Sequence, residues 1–125
     1  MKILLMIGTG SFAGGILRYL ISQFLQGKTA STFPIGTLLV NIVGCFLIGL
    51  IVGVIDRGTL ASEWRLFLIT GLLGGFTTFS AFSMESVSLL REGQVGYALT
   101  YIGLSVCLGL FATYIAYSMT ACRSM

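Results

Sequence analysis

Four long runs of apolar residues, separated by short polar segments, set the pattern of the chain. A helix needs about 20 predominantly apolar residues to cross the hydrocarbon core of a bilayer, and each run reaches that length. Because the polar separators are short, consecutive helices are predicted to be antiparallel neighbours. The pattern predicts an all-α membrane protein, in which residues 1–125 form a single four-helix transmembrane domain with crossings at about 3–25, 35–55, 66–90 and 95–121.

The composition favours lipid rather than water as the solvent. Hydrophobic residues make up 56% of the chain and charged residues 9%, whereas soluble proteins carry about 25% charged residues. The net charge of +3 comes from basic residues that are scattered singly, and nucleic-acid binding normally needs a cluster of them. We therefore expect a lipid-embedded protein with no nucleic-acid partner.

Residue types that carry common catalytic and metal chemistry are scarce. The chain has no histidine, and it shows neither paired carboxylates nor a nucleophile–base pair. Cys45, Cys107 and Cys122 have no CxxC spacing, and cysteine in an apolar run behaves as a small hydrophobic residue. We therefore expect no enzyme activity, no disulfide framework and no zinc or haem site.

The basic residues give little information on the direction of insertion. With four helices both chain ends lie on one side, and the positive-inside rule compares the Lys and Arg counts of the two sides. The small asymmetry is compatible with insertion in both directions, which would permit an antiparallel homodimer, or with one orientation and a weak signal. Lys2, Arg57, Arg65 and Arg123 would lie on one side, and Lys28 and Arg91 on the other, with Arg18 near them.

Glycines recur at a spacing that lets helix backbones approach closely. Small residues four positions apart mark close helix contacts in membranes, and three pairs of glycines have this spacing. Four helices of this length enclose little space of their own, so a solute pathway would favour a second subunit. The glycine pairs are Gly10/Gly14, Gly49/Gly53 and Gly71/Gly75.

The third crossing contains an unusual stretch, GGFTTFSAFSMES, at residues 74–86. Each glycine lowers helix propensity by about 1 kcal/mol relative to alanine, and threonine and serine hydroxyls can bond local backbone groups. Backbone freed from a helix inside a bilayer is tolerated only where protein or water surrounds it. We predict a helix broken near mid-membrane, whose freed carbonyls form an oxygen site for a small cation. The alternative is an intact helix with a small-residue packing face.

Phe76, Phe79 and Phe82 would form one stripe if the third crossing were helical throughout. The edge of a phenyl ring is positive, so ring edges that face a narrow pore would stabilise a dehydrated anion without trapping it. The alternative is that these rings face lipid or fill a core, as most phenylalanines in membranes do.

Other donors and charges could join this path. Asn41 lies about 10 Å into the second helix at about 1.5 Å per residue, where its amide needs partners. Arg18 and Glu85 lie near helix ends, where an ion costs less than at the bilayer centre, and they indicate water-filled mouths. Each polar group alone is more often a helix–helix hydrogen bond. Thr37 shares a face with Asn41, and Tyr97, Tyr101 and Ser105 share a face of the fourth helix.

Two stretches resemble the fluoride channels called Fluc or CrcB: GTLLVNIVGCFLIG at 36–49 and TGLLGGFTTFSAFSMES at 70–86. An early GGILRYL at 14–20 extends the resemblance over nearly the whole chain. The resemblance implies a passive, fluoride-selective channel, built as an antiparallel, dual-topology homodimer with two pores along the subunit interfaces. Such a channel lies in the plasma membrane, the inner membrane of a bacterium, and exports fluoride from the cytoplasm.

The resemblance also implies roles for individual residues. Carbonyls at the helix break, here those of Gly74 and Thr77, would hold a structural sodium ion at the dimer centre. One position departs from the family pattern, because Gly109 stands where the polar track often continues beyond Ser105. The pore residues would be Asn41, Phe79, Phe82, Tyr101 and Ser105, with Arg18, Thr37 and Glu85 near the pore or its entrance.

Two other functions remain open on the residues alone. A small multidrug antiporter has the same size and dual insertion, but its proton-coupled export uses a carboxylate in the first helix, and no Asp or Glu precedes Asp56. A non-transporting assembly subunit would need only the glycine spacing. It would leave the polar groups of the second, third and fourth helices unexplained.

Overall fold

The computed structural model describes residues 1–121, and every regular element among them is helical. The elements are α1 (Lys2–Gly27), α2 (Ile35–Ile55), α3 (62–76), α4 (Phe79–Arg91) and α5 (Val95–Ala121). Four segments are long and apolar enough to span a membrane: α1, α2, α5, and the third crossing Ser62–Arg91, which consists of α3 and α4. The prediction of four membrane-spanning helices is confirmed. The predictions for Cys122 and Arg123 fall outside the described residues.

The connections between crossings are short and turn at the residues that the sequence marks. Pro34 stands immediately before the first residue of α2, where its missing N–H removes no helical hydrogen bond. Gly58, after α2, and Gly93, between α4 and α5, have φ angles of 72° and 79°, which glycine adopts without steric cost. The third crossing begins earlier than residue 66, because Ser62–Arg65 adds a polar helical turn that the apolar pattern does not reveal.

The helices pack closely in two pairs, α1 against α3 and α2 against α5. A Cβ placed on Gly10 of α1 would lie 3.1 Å from the Gly71 Cα of α3. A Cβ placed on Gly49 of α2 would lie 2.9 Å from the Ala116 Cβ of α5. The close approaches expected from the glycine spacing are therefore present, but they lie inside one chain and do not mark a contact between subunits.

Gly14→Ala is expected to destabilise this packing, with Gly15→Ala as its matched control. A Cβ on Gly14 would collide with the Leu72 carbonyl and lie 2.9 Å from the Phe76 amide nitrogen, whereas one on Gly15 would meet no atom within 4 Å. Overpacking lowers the free energy of unfolding by about 1–3 kcal/mol. The thermal unfolding midpoint in detergent should therefore fall for Gly14→Ala and stay unchanged for Gly15→Ala. Equal midpoints would show that α1 is not seated on α3 in this way.

The third crossing is interrupted between α3 and α4, as the sequence predicts. α3 ends at Phe76, and α4 starts at Phe79. Between them Thr77 and Thr78 are extended, with ψ angles of 153° and 118°. The chain therefore changes direction at the two residues that follow the glycine pair.

A second irregularity in this crossing is not indicated by the sequence. Leu66–Leu73 within α3 is π-helical, a rare geometry that occurs often at functional sites. The Ser11 hydroxyl of α1 donates a hydrogen bond of 3.3 Å to the Gly71 carbonyl in this segment. A side chain that inserts into a helical ladder disturbs its regularity, and a contact between distant residues leaves no trace in the local pattern.

A buried cluster ties α2, α4 and α5 together near the break. Leu38, Leu89 and Ala98, one from each helix, are at most 4% exposed. Tyr101 of α5 is fully buried among them, and Phe82 packs against the cluster from the start of α4. This core fixes the direction in which α4 leaves the break.

Candidate functional site

The two threonines at the break hold its two helix ends. The amide and the hydroxyl of Thr77 both donate to the Leu73 carbonyl of α3, at 2.9 Å each. Thr78 serves α4, because its Oγ1 accepts from the Ala81 amide at 3.3 Å, as the side chain of a helix N-cap does. The expectation that threonine hydroxyls compensate the opened ladder is confirmed at Thr78, whereas the Thr77 hydroxyl adds a second donor to a carbonyl that is already bonded.

Asn41 of α2 bonds the backbone of the break directly. Its Oδ1 accepts from the Thr78 N–H at 3.0 Å, and its Nδ2 donates to the Thr78 carbonyl at 3.2 Å. The side-chain amide thus replaces the helical partners that this residue has lost. Nδ2 carries a second N–H, so Asn41 can fix the break and still offer a donor to a ligand.

The carbonyls released by the break fall into two groups. The Gly75 carbonyl accepts from Arg18 Nε at 3.2 Å, so Arg18 lies at the C-terminal end of α3, where a cation is favoured. The carbonyls of Gly74 and Thr77, the two predicted to hold a cation, receive no hydrogen bond from any residue in the range 1–121. These two oxygens are available to a ligand.

A cavity of about 380 Å³ opens beside the break, and none of the described residues that line it is charged. Cys45, which the sequence marks only as a small hydrophobic residue, lines the cavity. The apolar wall formed by Ile48, Ile69 and Val106 was not predicted, because an apolar residue in a crossing gives no sign of what it faces. Six residues that the sequence did single out share the lining: Asn41, Gly74, Thr77, Phe79, Phe82 and Ser105.

Two phenylalanine rings meet at the start of α4. The ring centroids of Phe79 and Phe82 are 5.6 Å apart, with an interplanar angle of 47°. Phe79 is 79% exposed on the surface of the chain, whereas Phe82 packs 5.2 Å from the Tyr101 ring. Phe76 is buried in α3, so the break separates it from the other two rings, and a continuous stripe of three does not form.

Ser105 of α5 is one of the residues that line this cavity, and its hydroxyl is an unfilled hydrogen-bonding group among the described residues. Its Oγ is shielded from solvent and has no hydrogen-bond partner in the described part of the chain. A buried hydroxyl without a partner costs free energy, and each such group needs an explanation. A ligand that accepts a hydrogen bond in the cavity would supply the missing partner.

Within residues 1–121, Glu85 of α4 is paired with hydroxyl groups rather than with a positive charge. The Thr37 hydroxyl donates to its Oε1 at 2.8 Å, and the Tyr101 hydroxyl donates to its Oε2 at 2.7 Å. The three side chains form a hydrogen-bonded unit across α2, α4 and α5. None of them is among the residues that line the cavity, so Tyr101, predicted as a pore residue, lies behind Phe82 rather than on the cavity wall.

The polar residues of α2 and α5 lie at successive levels along these two helices. Thr37 and Tyr101 share Glu85 at the first level. One turn further along each helix, Asn41 and Ser105 both line the cavity. The faces predicted from the four-residue spacing therefore turn towards the same place, although of these two levels the first does not border the cavity.

Comparison with known proteins shows a match over most of the chain. The family described as CrcB-like protein, Camphor Resistance (CrcB), matches residues 5–117. This chain belongs to the CrcB family. The matched segment contains every residue that lines the cavity, and the family resemblance read from the sequence is thereby confirmed.

Individual members of the CrcB family match the chain almost from end to end. A protein of Flavobacterium psychrophilum named fluoride-specific ion channel FluC is 46% identical over 115 residues, which are 91% of this chain and 93% of that protein. Proteins of the same name from Thermus thermophilus and Rhizobium meliloti are each 45% identical over 115 residues. The match covers 92% of both chains for the former, and 91% of this chain and 92% of the relative for the latter. These CrcB relatives are named as ion channels and not as enzymes.

Proposed function

We propose that the chain is a passive, fluoride-selective channel that lets fluoride leave the cytoplasm across the plasma membrane, the inner membrane of a bacterium. The observation that carries the proposal is the uncharged cavity at the helix break, where the unpartnered Ser105 hydroxyl, the Asn41 amide and two phenylalanine rings meet. The names of relatives at 45–46% identity support the choice of fluoride as the ion.

The groups around the cavity suit a small anion that has lost part of its water. Neutral N–H and O–H donors replace hydration, and the positive edges of aromatic rings add to them. Arg18 is engaged by the Gly75 carbonyl and Glu85 by two hydroxyls, and no residue of the range 1–121 that lines the cavity carries a full charge. Conduction requires an ion to bind favourably enough to enter the pathway and weakly enough to leave it. Neutral groups of this kind provide such intermediate binding.

A second copy, inserted in the opposite direction, is part of the proposal. Phe79 and Ser80 are exposed, and the carbonyls of Gly74 and Thr77 have no hydrogen-bond partner among the described residues. Lipid cannot satisfy such backbone groups. The small difference in Lys and Arg between the two membrane sides supports insertion in both directions. We therefore propose an antiparallel homodimer of single-domain subunits in membrane lipid, with the ion pathway completed at the subunit interface.

A structural sodium ion is proposed at the Gly74 and Thr77 carbonyls. Main-chain oxygens at interrupted membrane helices are common ligands of sodium, and these two oxygens have no hydrogen-bond partner within residues 1–121. One subunit would supply these two carbonyl oxygens, and a second copy would supply the two equivalent oxygens. The ion would hold the two helix breaks together at the centre of the dimer.

Expression in a bacterial strain that lacks its own fluoride exporter tests the proposal in cells. We expect growth at fluoride concentrations that stop the parent strain, because export lowers cytoplasmic fluoride. The Phe79→Ile variant, expressed to the same level, should give much weaker protection. Absence of protection by the unmodified chain, with the protein present in the membrane fraction, would contradict the proposal.

The same strain separates this proposal from a proton-coupled multidrug antiporter. An antiporter of that kind protects cells against quaternary ammonium cations and needs a carboxylate in its transport site. The first helix of this chain has no acidic residue, and the half-buried acid of the third crossing, Glu85, is bonded to two hydroxyls. We expect protection against fluoride and none against such cations.

A further inference from the structure

The level of α2 and α5 that follows Asn41 and Ser105 contains a thiol. Cys45 lies one turn after Asn41, and Gly109 one turn after Ser105. A Cβ built on Gly109 would lie 3.3 Å from the Cys45 Sγ. The thiol therefore occupies the space that a side chain at position 109 would need.

Cys45 reaches the same cavity as the polar residues of the preceding level. It is partly exposed and lines the cavity together with Asn41 and Ser105. The Ser105 Oγ, on which the proposed function also rests, is shielded without a hydrogen-bond partner in the described residues, and a ligand in this cavity would supply that partner. The thiol is thus the next polarizable group that a ligand meets beyond the unpartnered hydroxyl.

The backbone around Cys45 is held in position, so the thiol has little room to withdraw. The Thr113 hydroxyl donates to the Cys45 carbonyl at 2.9 Å. On the preceding residue, a Cβ at Gly44 would collide with the Thr77 side chain at the break. α2 therefore contacts α5 at Cys45 and packs against the helix break at Gly44.

We infer that the Cys45 thiol forms part of the ion pathway at the level of Gly109, and that it makes the pathway open to blockage by a small thiol reagent. The inference rests on the proposed function, because it concerns the same pathway. A thiol is a weak hydrogen-bond donor, so it continues the polar lining without binding an anion strongly. Its thiolate form is a nucleophile that reacts with thiol reagents. A hydroxyl group at this level would not react with them.

Methyl methanethiosulfonate is a small, neutral reagent that tests the inference on the full chain in liposomes. The Cys45 thiolate attacks the sulfenyl sulfur of the reagent, and a disulfide forms between Sγ and the methylthio group. The bond to the sulfonyl group breaks, its electron pair leaves with methanesulfinate, and the thiol proton passes to water. The added methylthio group fills part of the cavity, so we expect loss of most of the fluoride efflux and its recovery after reduction with dithiothreitol.

The experiment uses a background in which Cys107, exposed on α5, and Cys122 are replaced by alanine. In this background Cys45→Ser removes the reactive thiol, and the ratio of treated to untreated efflux should then stay at one. Intact-mass measurement reports whether Cys45 has reacted. Unchanged efflux after complete modification of Cys45, or failure of Cys45 to react at all, would overturn the inference. A background protein that releases no fluoride before treatment would instead contradict the proposed function.

A pair of substitutions tests the packing on which the inference depends. Gly109→Ser alone places a side chain against the Cys45 sulfur, and we expect lower efflux and a lower unfolding midpoint. In the double variant Cys45→Ala with Gly109→Ser, removal of the sulfur makes room for the serine side chain, and the polar group now comes from α5. Efflux and the unfolding midpoint should therefore both be higher than in Gly109→Ser alone. Losses that simply add in the double variant would show that positions 45 and 109 do not share this space.

Discussion

Asn41→Ala should nearly abolish fluoride efflux and lower the stability of the fold. The substitution removes both hydrogen bonds between the side chain of Asn41 and the backbone of Thr78, inside a membrane that offers no water in exchange. An unsatisfied buried group costs about 1–3 kcal/mol, so we expect the free energy of unfolding to fall by about 2–5 kcal/mol. Efflux should fall at least about tenfold, because a barrier change of about 1.4 kcal/mol already gives that factor.

Val43→Ala is the matched control for Asn41→Ala. Val43 lies two positions further along the same helix and is 46% exposed on the outer side of the chain, so its truncation should leave efflux close to that of the unmodified protein. Efflux from proteoliposomes and the unfolding midpoint in detergent should be measured for both variants. Normal efflux from the Asn41→Ala variant would mean that the clamp on the helix break is dispensable.

Phe79→Ile should strongly reduce fluoride efflux while leaving the fold intact. The ring is 79% exposed in the single chain and lies at the cavity beside Phe82, so few contacts within the chain depend on it. An exposed substitution of this kind changes stability by about 0.5 kcal/mol or less. The loss of efflux, about tenfold or more on the barrier scale, would follow from losing the positive ring edge, since isoleucine fills similar space without a quadrupole.

Phe111→Ile controls for the chemistry of the substitution itself. Phe111 is 60% exposed on α5 and is not part of the cavity lining, so the same change there should leave efflux unchanged. Chemical cross-linking in the membrane should give the same proportion of dimer for both variants. Equal efflux from Phe79→Ile and the unmodified chain would rule out a role for the ring edge of Phe79.

The sequence pattern was sufficient for the crossings and for the place of the break. Apolar length determines the crossings, and the glycine pair followed by two threonines combines low helix propensity with hydroxyls that can cap the exposed ends. Thr78 is found in that capping role, and the Thr77 hydroxyl bonds the last turn of α3. These features depend on residues close together in the chain, which is why local reasoning finds them.

Features that depend on distant contacts were not predictable. The π-helical segment Leu66–Leu73 accompanies a hydrogen bond from Ser11, and the position of Arg18 at the break depends on how α1 packs against α3. Tyr101 could be placed on a polar face by its spacing, but its hydroxyl turns to Glu85. Spacing along one helix gives a face, and only the packing of the other helices decides what that face meets.

We propose above all that the cavity at the helix break, with its apolar wall and its few neutral hydrogen-bond donors, conducts fluoride and excludes larger halides. The most direct test is the release of fluoride and of chloride from liposomes that contain the purified protein, each followed with an ion-selective electrode under the same voltage. We predict rapid release of fluoride and no release of chloride above that of protein-free liposomes. Equal release of both ions, or retention of fluoride, would contradict the account.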